Sequence, residues 1–196
     1  MQITHLRSIL FIVLSNLLLP VSARSIDCRD SSLAKKYAHM HDVDQALRGK
    51  YIEILEKENA KATIDQAEKD RLEILISETD EKNRIELERM IKTCGWPKDL
   101  DGNRAAFSAF LIIQHAPLPY QLKYFAMIKA ANSRGEISNE HLAWLIDRVL
   151  VRQGKPQRYG TEFEYGSNKI FPIEDSKNVN KRRKKMGLPP LKEFPL

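Results

Sequence analysis

Two long helical patterns in the first half of the sequence set the strongest limit on its fold. Apolar residues recur at steps of three and four from Ser31 to about Asn59, and again from about Thr63 to Lys92. This spacing predicts two long amphipathic helices. Because the segment that joins them is short, the helices are expected to fold back on each other as an antiparallel hairpin.

The sequence contains two cysteines, and their positions agree with this hairpin. Cys28 precedes the first predicted helix and Cys94 follows the second, so both belong to the open end of the hairpin. Cysteine pairs of exported proteins usually form a disulfide. A Cys28–Cys94 disulfide is therefore predicted, with two reduced buried thiols as the alternative.

The first residues have the pattern of an export signal. Arg7 precedes an apolar run at 9–19, and small or short side chains follow at 21–23, where a signal peptidase would cleave. The run is shorter than the roughly 20 residues that a transmembrane helix needs. We therefore predict a cleaved signal peptide, 1–23, a periplasmic or secreted protein, and no permanent membrane span. A retained membrane anchor is the alternative.

The middle of the chain predicts three further helices. Residues 104–116 are apolar on every face, which is typical of a helix buried on all sides. A fourth, largely apolar helix is expected at 120–132, after two prolines that interrupt the chain. Ser138 is placed to cap a fifth helix that extends to about Val151. The third helix is therefore expected to be the buried centre of the fold.

The pattern changes after Gly154. Aromatic and β-branched residues lie on both sides of the turn sequence at 166–168, which predicts a small β-hairpin. The mature chain, 24–196, is thus expected to be a single, mainly α domain. Its predicted parts are a long N-terminal antiparallel helix hairpin, three further helices and the small β-hairpin near the C-terminus, followed by a short basic helix.

Polar residues interrupt the apolar stripes of the two long helices. Asp44, with Arg48 one turn later, falls where the period of the first helix predicts a core side chain, and Asn83 does so in the second helix. Buried polar groups need hydrogen-bond partners. The middles of the two helices face each other in an antiparallel hairpin. The interruptions therefore form either an internal network that fixes the helix register or the lining of a cleft.

Gln114 and His115 lie at the C-terminal end of the buried third helix. A helix C-terminus favours a cation, and histidine is the side chain that titrates near neutral pH. His115 is therefore the best candidate for a general acid or base, with Asp147 as the carboxylate that orients it. The alternative is a structural histidine whose hydrogen bonds are satisfied within the fold.

Hydrogen-bonding side chains are concentrated in the segment 147–166. Arg148 lies on the predicted fifth helix, and Gln157, Tyr159 and Thr161 follow in backbone that is not predicted to be helical. Loops held by a rigid scaffold commonly carry function. The segment is interpreted as the polar rim of a binding site. The alternative is a surface hairpin that bonds to its own backbone.

Several function classes lack their sequence signals. The sequence holds no metalloprotease histidine motif, paired Cys-x-x-Cys or phosphate-binding glycine loop, so no metal and no cofactor is predicted. Much of the net charge of +6 comes from the basic run at 181–185, and the rest of the chain is nearly balanced. Nucleic acid is therefore not an expected partner. The basic run itself is either a solvated helix face or a site for phosphate or an anionic membrane.

Short motifs occur in a fixed order from Asp44 to Leu191. They are Asp44-Gln45 with Arg48, Asp80 with Asn83, Gly95-Trp96-Pro97, Gln114-His115-Ala116, Asp147-Arg148, Gln157 with Tyr159-Gly160-Thr161, Pro172-Ile173-Glu174-Asp175, Arg182-Arg183 and Gly187-Leu188. In this order they resemble an uncharacterised bacterial family, the domain of unknown function 6624. The resemblance implies one helical domain and joins these residues into one set. This chain departs from the family pattern at Glu162, where the family usually has Gln.

Two classes of function fit these observations. The first is an exported envelope protein, for example an immunity or inhibitor protein, that binds a small polar ligand or an envelope protein. Its polar pocket would be formed by Asp44, Arg48, Asn83, Gln114, Arg148, Gln157, Tyr159 and Thr161. The second is an envelope enzyme with His115 as acid or base, Asp147 as its orienting group, and Gln157, Tyr159 and Thr161 positioning the substrate. The sequence contains no recognisable activated nucleophile, which favours the first class.

Overall fold

The computed structural model describes residues 28, 31–98, 104–164 and 169–191, and this part of the chain is mainly helical, as predicted. Its α-helices are α1 (Ser31–Asn59), α2 (Gln66–Cys94), α3 (Ala105–His115), α4 (Leu118–Ser133), α5 (Asn139–Arg152) and α6 (Val179–Lys185). None of these described helices combines the length and the apolar character needed to cross a membrane. The predicted signal peptide, 1–23, lies outside the described residues.

Helices α1 and α2 form the predicted antiparallel hairpin. Lys36 pairs with Glu86 at 3.1 Å, and Arg48, further along α1, pairs with Asp80 at 2.5 Å. Partner numbers fall along α2 as they rise along α1, which only an antiparallel arrangement produces. The polar residues in the middle of each helix therefore meet, as the sequence pattern indicates.

The two ends of the hairpin are fixed by different interactions. Cys28 and Cys94 form the predicted disulfide at the open end, with their Cα atoms 5.5 Å apart. At the closed end, α2 begins at Gln66, slightly later than the sequence pattern predicts. The reason is a cap: the side chain of Asp65 accepts a hydrogen bond from the backbone N–H of Glu68 at 3.1 Å.

Helix α3 is the buried centre of the molecule. It contacts α1, α2, α4 and α5. Phe110, Leu111 and Ile112 point to three different faces of α3, and all three side chains are buried. A helix that is apolar all round can be covered on all sides, which is the arrangement predicted for it. The C-terminal end of α3, where His115 lies, is consequently enclosed by the middle of the hairpin and by α5.

The predicted β-hairpin near the C-terminus is not supported. The described part of this segment contains no strand and forms only isolated bridges, Gln157 with Ile173 and Phe163 with Ile170. The predicted turn at 166–168 lies outside the described residues. The two sides share backbone hydrogen bonds, such as Phe171 N–H to the carbonyl of Glu162 at 3.2 Å, but buried side chains bond to other backbone groups of this segment. The loop conformation is described with the site below.

Two arginines of the basic run hold this segment in place. The nearly buried guanidinium of Arg183 donates to the backbone carbonyls of Tyr159 and Pro189, both at 2.6 Å. Arg182 donates to the carbonyl of Arg158 at 2.8 Å. The lysines of the run are exposed. Only part of the run is therefore a solvated helix face, because α6 also anchors the loop that follows α5.

Candidate functional site

The last residue of α3, His115, pairs with a buried carboxylate of α1. Nδ1 of His115 lies 3.2 Å from Oδ2 of Asp44. Asp44 is only 4% exposed, so its charge needs partners within the protein. The other ring nitrogen, Nε2, makes no hydrogen bond to the described part of the chain. A histidine held through Nδ1 in this way has Nε2 left for a molecule outside the fold.

Asp44 is the centre of a polar network between α1 and α2. Its carboxylate accepts hydrogen bonds from Nε of Arg48 at 2.8 Å and from Nε2 of Gln45 at 2.7 Å. Nη2 of Arg48 also donates to Asp80 on α2 at 2.5 Å. Burial raises the pKa of Asp44, but the hydrogen bond and charge of His115, with the other two partners, outweigh burial and lower the pKa overall. The network therefore holds Asp44 in its ionised form.

Two arginines one turn apart on α5 cover the C-terminal end of α3. Nη1 of Arg148 donates to the carbonyl of Gln114 at 3.2 Å, and Nη1 of Arg152 donates to the carbonyl of Ala116 at 2.5 Å. Carbonyls at the end of a helix lack partners within it, and a cation is favourable there. The arginines thus fix α5 against the end of α3, next to His115.

These arginines differ in their carboxylate partners. Arg148 forms an ion pair with Glu162, with Nη2 to Oε1 at 2.9 Å. Among the described residues, no carboxylate lies within ion-pair distance of Arg152. Burial, and then the charge of Arg148, lower the pKa of Arg152. The charge of Glu162 acts in the opposite direction and raises the pKa of Arg152, without forming an ion pair with it.

A cleft of about 850 Å³ lies beside these groups. Its walls come from α1, α2, α5 and the segment that follows α5, with His115 at the end of α3. Its volume falls in the range of small-molecule sites, about 300–1,000 Å³. The arginines that line it are Arg48, Arg84, Arg148 and Arg152. The carboxylates that line it are Glu73, Asp80 and Glu162.

A smaller cavity of about 270 Å³ adjoins the cleft. His115, Arg148 and Glu162 line both spaces and form the wall between them. Gln114, only 3% exposed, lines the smaller cavity. Its Oε1 atom has no hydrogen-bond partner among the described residues. A buried acceptor beside the smaller cavity is therefore left unsatisfied.

Asp147 holds the loop after α5 and does not pair with His115. Its carboxylate is fully buried and accepts backbone hydrogen bonds from Arg158 at 2.7 Å and from Thr161 at 3.0 Å. It also accepts from the backbone N–H of Tyr159 and from the hydroxyl of Thr161. The carboxylate that contacts His115 is Asp44, so the expected orienting role of Asp147 is not what the geometry gives.

Gln157 completes the loop from the inside. It has no exposed surface, and its Oε1 accepts from the backbone N–H groups of Thr161 and Glu162 at 2.8 and 2.9 Å. Its Nε2 donates to the carbonyls of Glu162 and Phe171, both at 2.9 Å. One buried amide therefore bonds to four backbone groups of this segment and fixes the loop from inside the fold.

Gly160 is the tightest point of this loop. Its φ of +71° is unfavourable for other residues, and an added Cβ would lie 2.9 Å from Leu191 and 3.1 Å from Ile173. We expect Gly160→Ala to lower the free energy of unfolding by about 2 kcal/mol or more, through left-handed backbone and overpacking together. Chemical denaturation measures this loss.

Gly154→Ala is the matched control for the glycine prediction. Gly154 has a φ of +70°, but an added Cβ there would meet nothing within 4 Å. Only the cost of the left-handed backbone remains, so we expect Gly154→Ala to lower the free energy of unfolding by about 1 kcal/mol. Equal losses for Gly154→Ala and Gly160→Ala would contradict the proposed close packing around Gly160.

The structure brings together only part of the residue set predicted from sequence. The predicted residues that line the cleft are Arg48, His115 and Arg148. Gln114 and Thr161 line the smaller cavity, and Asp44 lies behind His115. The predicted residues that line neither space are Asp44, Asn83, Asp147, Gln157 and Tyr159. Asp44 contacts His115 from behind without lining the cleft, and Tyr159 lies elsewhere, so the expectation of one hollow shared by Asp44, His115 and Tyr159 is not met.

The residues outside the cavities have identifiable structural contacts. Tyr159 packs with Ala143 and Leu188 in a small separate core. Asn83 is buried and donates through Nδ2 to the carbonyl of Met40 at 3.5 Å. These contacts, like those of Asp147 and Gln157, join parts of the fold to each other and leave the side chains out of reach of a ligand in the cleft.

Sequence analysis did not identify several cleft residues. Arg152 is one, although its four-residue spacing from Arg148 on an amphipathic helix is a usable signal for two cations on one face. Glu162 is a second, since the sequence shows it only as a departure from a family pattern. Phe163 and Phe171 also line the cleft. Nothing in their local sequence distinguishes them from core residues of a hairpin.

The fold and site define a class: a mainly helical protein with a cleft of mixed charge at the end of a buried helix. The chain belongs to the Family of unknown function (DUF6624), whose model matches residues 31–195. The match covers nearly all of the described residues, including every side chain of the site. No curated protein and no solved structure matches the chain.

Proposed function

We propose that this is an exported binding protein whose cleft holds a small anionic ligand. The observation that carries the proposal is the state of Arg152. Its guanidinium lines the cleft, uses one nitrogen to cap Ala116, and has no carboxylate within ion-pair distance among the described residues. An anion from solution would supply the missing partner.

The chemistry of arginine favours such a ligand. A guanidinium has five N–H donors in a planar fork, and the recorded hydrogen bond of Arg152 uses one nitrogen. The remaining donors suit the two oxygens of a carboxylate. His115 lines the same cleft and has Nε2 left as a further hydrogen-bonding group. Because the site is concave, a small molecule fits it better than a protein surface does.

Replacing Arg152 with glutamine tests this binding function. We expect butyrate, a simple carboxylate probe, to bind the wild type with a dissociation constant on the order of millimolar. Arg152→Gln should weaken this binding by about tenfold or more, because a hydrogen bond between charged groups is worth about 1.5–3 kcal/mol. Chemical-shift titration by nuclear magnetic resonance measures both affinities.

Arg71→Gln is the control for Arg152→Gln. Arg71 is exposed on α2 and pairs with Glu68 at 2.8 Å, outside the cleft. It should bind butyrate as the wild type does. Butyrate affinities that are equal in Arg152→Gln and Arg71→Gln would contradict the proposal. A thermal melt of each variant shows whether loss of the cap on Ala116 has disturbed the fold.

Export is the second part of the proposal. The Cys28–Cys94 disulfide supports it, because disulfides persist in oxidising compartments. The expected result is a protein in the periplasmic or secreted fraction whose N-terminal sequence begins at residue 24. Recovery of a chain that starts at Met1 with both thiols reduced would contradict export.

An acid–base enzyme is the second candidate, and the His115–Asp44 pair favours it. A carboxylate at 3.2 Å from Nδ1 fixes the ring so that Nε2 can exchange a proton with a molecule in the cleft. In this alternative Asp44 takes the role that the sequence suggested for Asp147, and Gln157 and Tyr159 do not position substrate.

Metabolite profiling tests the enzyme. A cell extract incubated with the wild type should lose one compound and gain a product, while the same extract with His115→Gln should not. Asp44→Asn should reduce the conversion. The substitution removes the negative charge beside His115, and a neutral amide orients the imidazole ring less strongly than a carboxylate does. Unchanged extracts with all three proteins would contradict catalysis and leave binding as the function.

A further inference from the structure

Resting on the proposed function, we infer that the ligand is amphipathic: a monocarboxylate on an aliphatic chain, with its head at Arg152 and its chain on the apolar wall of the cleft. The apolar wall is formed by Ile52, Ile76, Val151, Phe163 and Phe171. These five side chains come from α1, α2, α5 and the segment after α5. Four separate parts of the chain thus place apolar groups on one concave surface.

The exposure of this wall points to a ligand. Ile52 is 49% exposed and Phe163 is 38% exposed, although both lie in a concave space where they could be covered. Other exposed large apolar residues, such as Ile85 and Leu122, do not line the cleft. Single exposed residues on a convex surface are common. An apolar surface inside a concave site is a typical feature of ligand pockets.

The size of the cleft excludes a small inorganic anion as its full occupant. One water occupies about 30 Å³ in the liquid, and a small hydrated anion corresponds to only a few such volumes. The cleft measures about 850 Å³. A head group bound at Arg152 would leave most of this space empty or wet. An attached aliphatic chain fills it and removes the apolar wall from water.

The carboxylates of the cleft set the charge of the head. Glu73, Asp80 and Glu162 line the same space as the arginines. Arg48 and Arg148 are already paired with Asp80 and Glu162. Arg84 pairs with Glu81, so Arg152 is the lining arginine without an ion pair among the described residues. A doubly charged phosphate would meet repulsion from the acidic groups, Glu73 among them. A singly charged carboxylate matches this balance.

Charged and apolar groups alternate closely enough for one molecule to contact both. Val151 and Arg152 are neighbours on α5, and Glu162 and Phe163 are neighbours in the segment that follows. All four line the cleft. The head and the first carbons of a chain can therefore be recognised by adjacent residues of the same wall.

A chain-length series tests the inference. We expect decanoate, kept below its micellar concentration, to bind the wild type at least about 100-fold more tightly than butyrate. Full burial of each added methylene strengthens binding about fourfold, and an open cleft buries part of the chain. Decanol, which has the chain without the charge, should bind at least about tenfold more weakly than decanoate. Calorimetric titration measures all three.

Phe163→Ser should weaken decanoate binding by about tenfold or more and weaken butyrate binding much less, because butyrate has only three carbons beyond its head to place on the wall. Leu122→Ser is the control, since Leu122 is 46% exposed and lies on α4 outside the cleft. It should change neither affinity. Equal decanoate affinities in the two variants would overturn the assignment of the chain to this wall.

The outcomes distinguish failure of the amphipathic-ligand inference from failure of the proposed anion-binding function. Equal binding of butyrate and decanoate, both weakened by Arg152→Gln, would overturn the amphipathic ligand and keep the anion site. Binding of neither carboxylate would overturn both. Binding of decanol as tight as that of decanoate would overturn recognition of the head by Arg152.

Discussion

Replacing Asp147 with asparagine is expected to lower the free energy of unfolding by about 3 kcal/mol or more. The carboxylate of Asp147 is fully buried and accepts hydrogen bonds from the backbone of Arg158, Tyr159 and Thr161. An asparagine has one acceptor oxygen in place of two, and its NH₂ group would face N–H donors. Buried donors would then lose their partners, which is the costly case for a hydrogen-bond network.

Urea denaturation of Asp147→Asn measures this loss, and hydrogen exchange locates it. The amides of Tyr159 and Thr161 should lose protection first, because Asp147 accepts from both. Asp42→Asn is the control: Asp42 is exposed on α1 and should change stability by less than about 0.5 kcal/mol. Similar stabilities of the two variants would show that the loop does not depend on Asp147.

Removing the disulfide has the second large expected effect. We expect Cys28→Ser combined with Cys94→Ser to lower the free energy of unfolding by about 4 kcal/mol. The cysteines are 66 residues apart in the sequence, so the bond restricts a long loop of the unfolded chain. Loss of this restriction raises the entropy of the unfolded state while the helices of the folded state keep their contacts.

The disulfide prediction is checked by comparing the double variant with the wild type in urea without reductant. Lys69→Gln serves as control because Lys69 and Glu58 pair at 2.6 Å near the closed end of the hairpin. An exposed ion pair contributes at most about 1 kcal/mol, so this variant should resemble the wild type. A double cysteine variant as stable as the Lys69→Gln variant would contradict the bond's role.

The long helices were predictable because their signal is local and repeated. Two amphipathic stripes and a short link specify an antiparallel hairpin, and Cys28 and Cys94 agree with it independently. The start of α2 could also have been predicted from the sequence. Asp65 followed three residues later by Glu68 is a capping pattern, and this cap sets the start of the helix. Regular periodicity identifies a helix, whereas its ends depend on single side chains.

The segment after α5 was not predictable in the same way. Its aromatic and β-branched residues match a hairpin, but Asp147 and Gln157 bond to its backbone from inside the fold. A polar side chain that binds a ligand and one that binds a distant backbone group carry the same donors and acceptors. Sequence therefore detected that Gln157 and Tyr159 are unusual without distinguishing a binding role from a structural one.

The partner of His115 illustrates the same limit within the site. Both Asp44 and Asp147 are buried carboxylates on helices that pack against α3. Which of them reaches the ring depends on helix rotation, which local patterns do not specify. The position of His115 at a helix end was predictable, whereas the choice of Asp44 required the packed structure.

The most direct test of the anion site is to follow the Nε–H resonances of the arginines while decanoate is added. If the anion site exists, the Nε–H resonances of Arg152 and Arg148 shift in a saturable way with one common affinity. The resonances of the exposed Arg71 and Arg89 stay unchanged. Shifts that are absent from Arg152, or that are equal at all four arginines, would contradict a ligand site in this cleft.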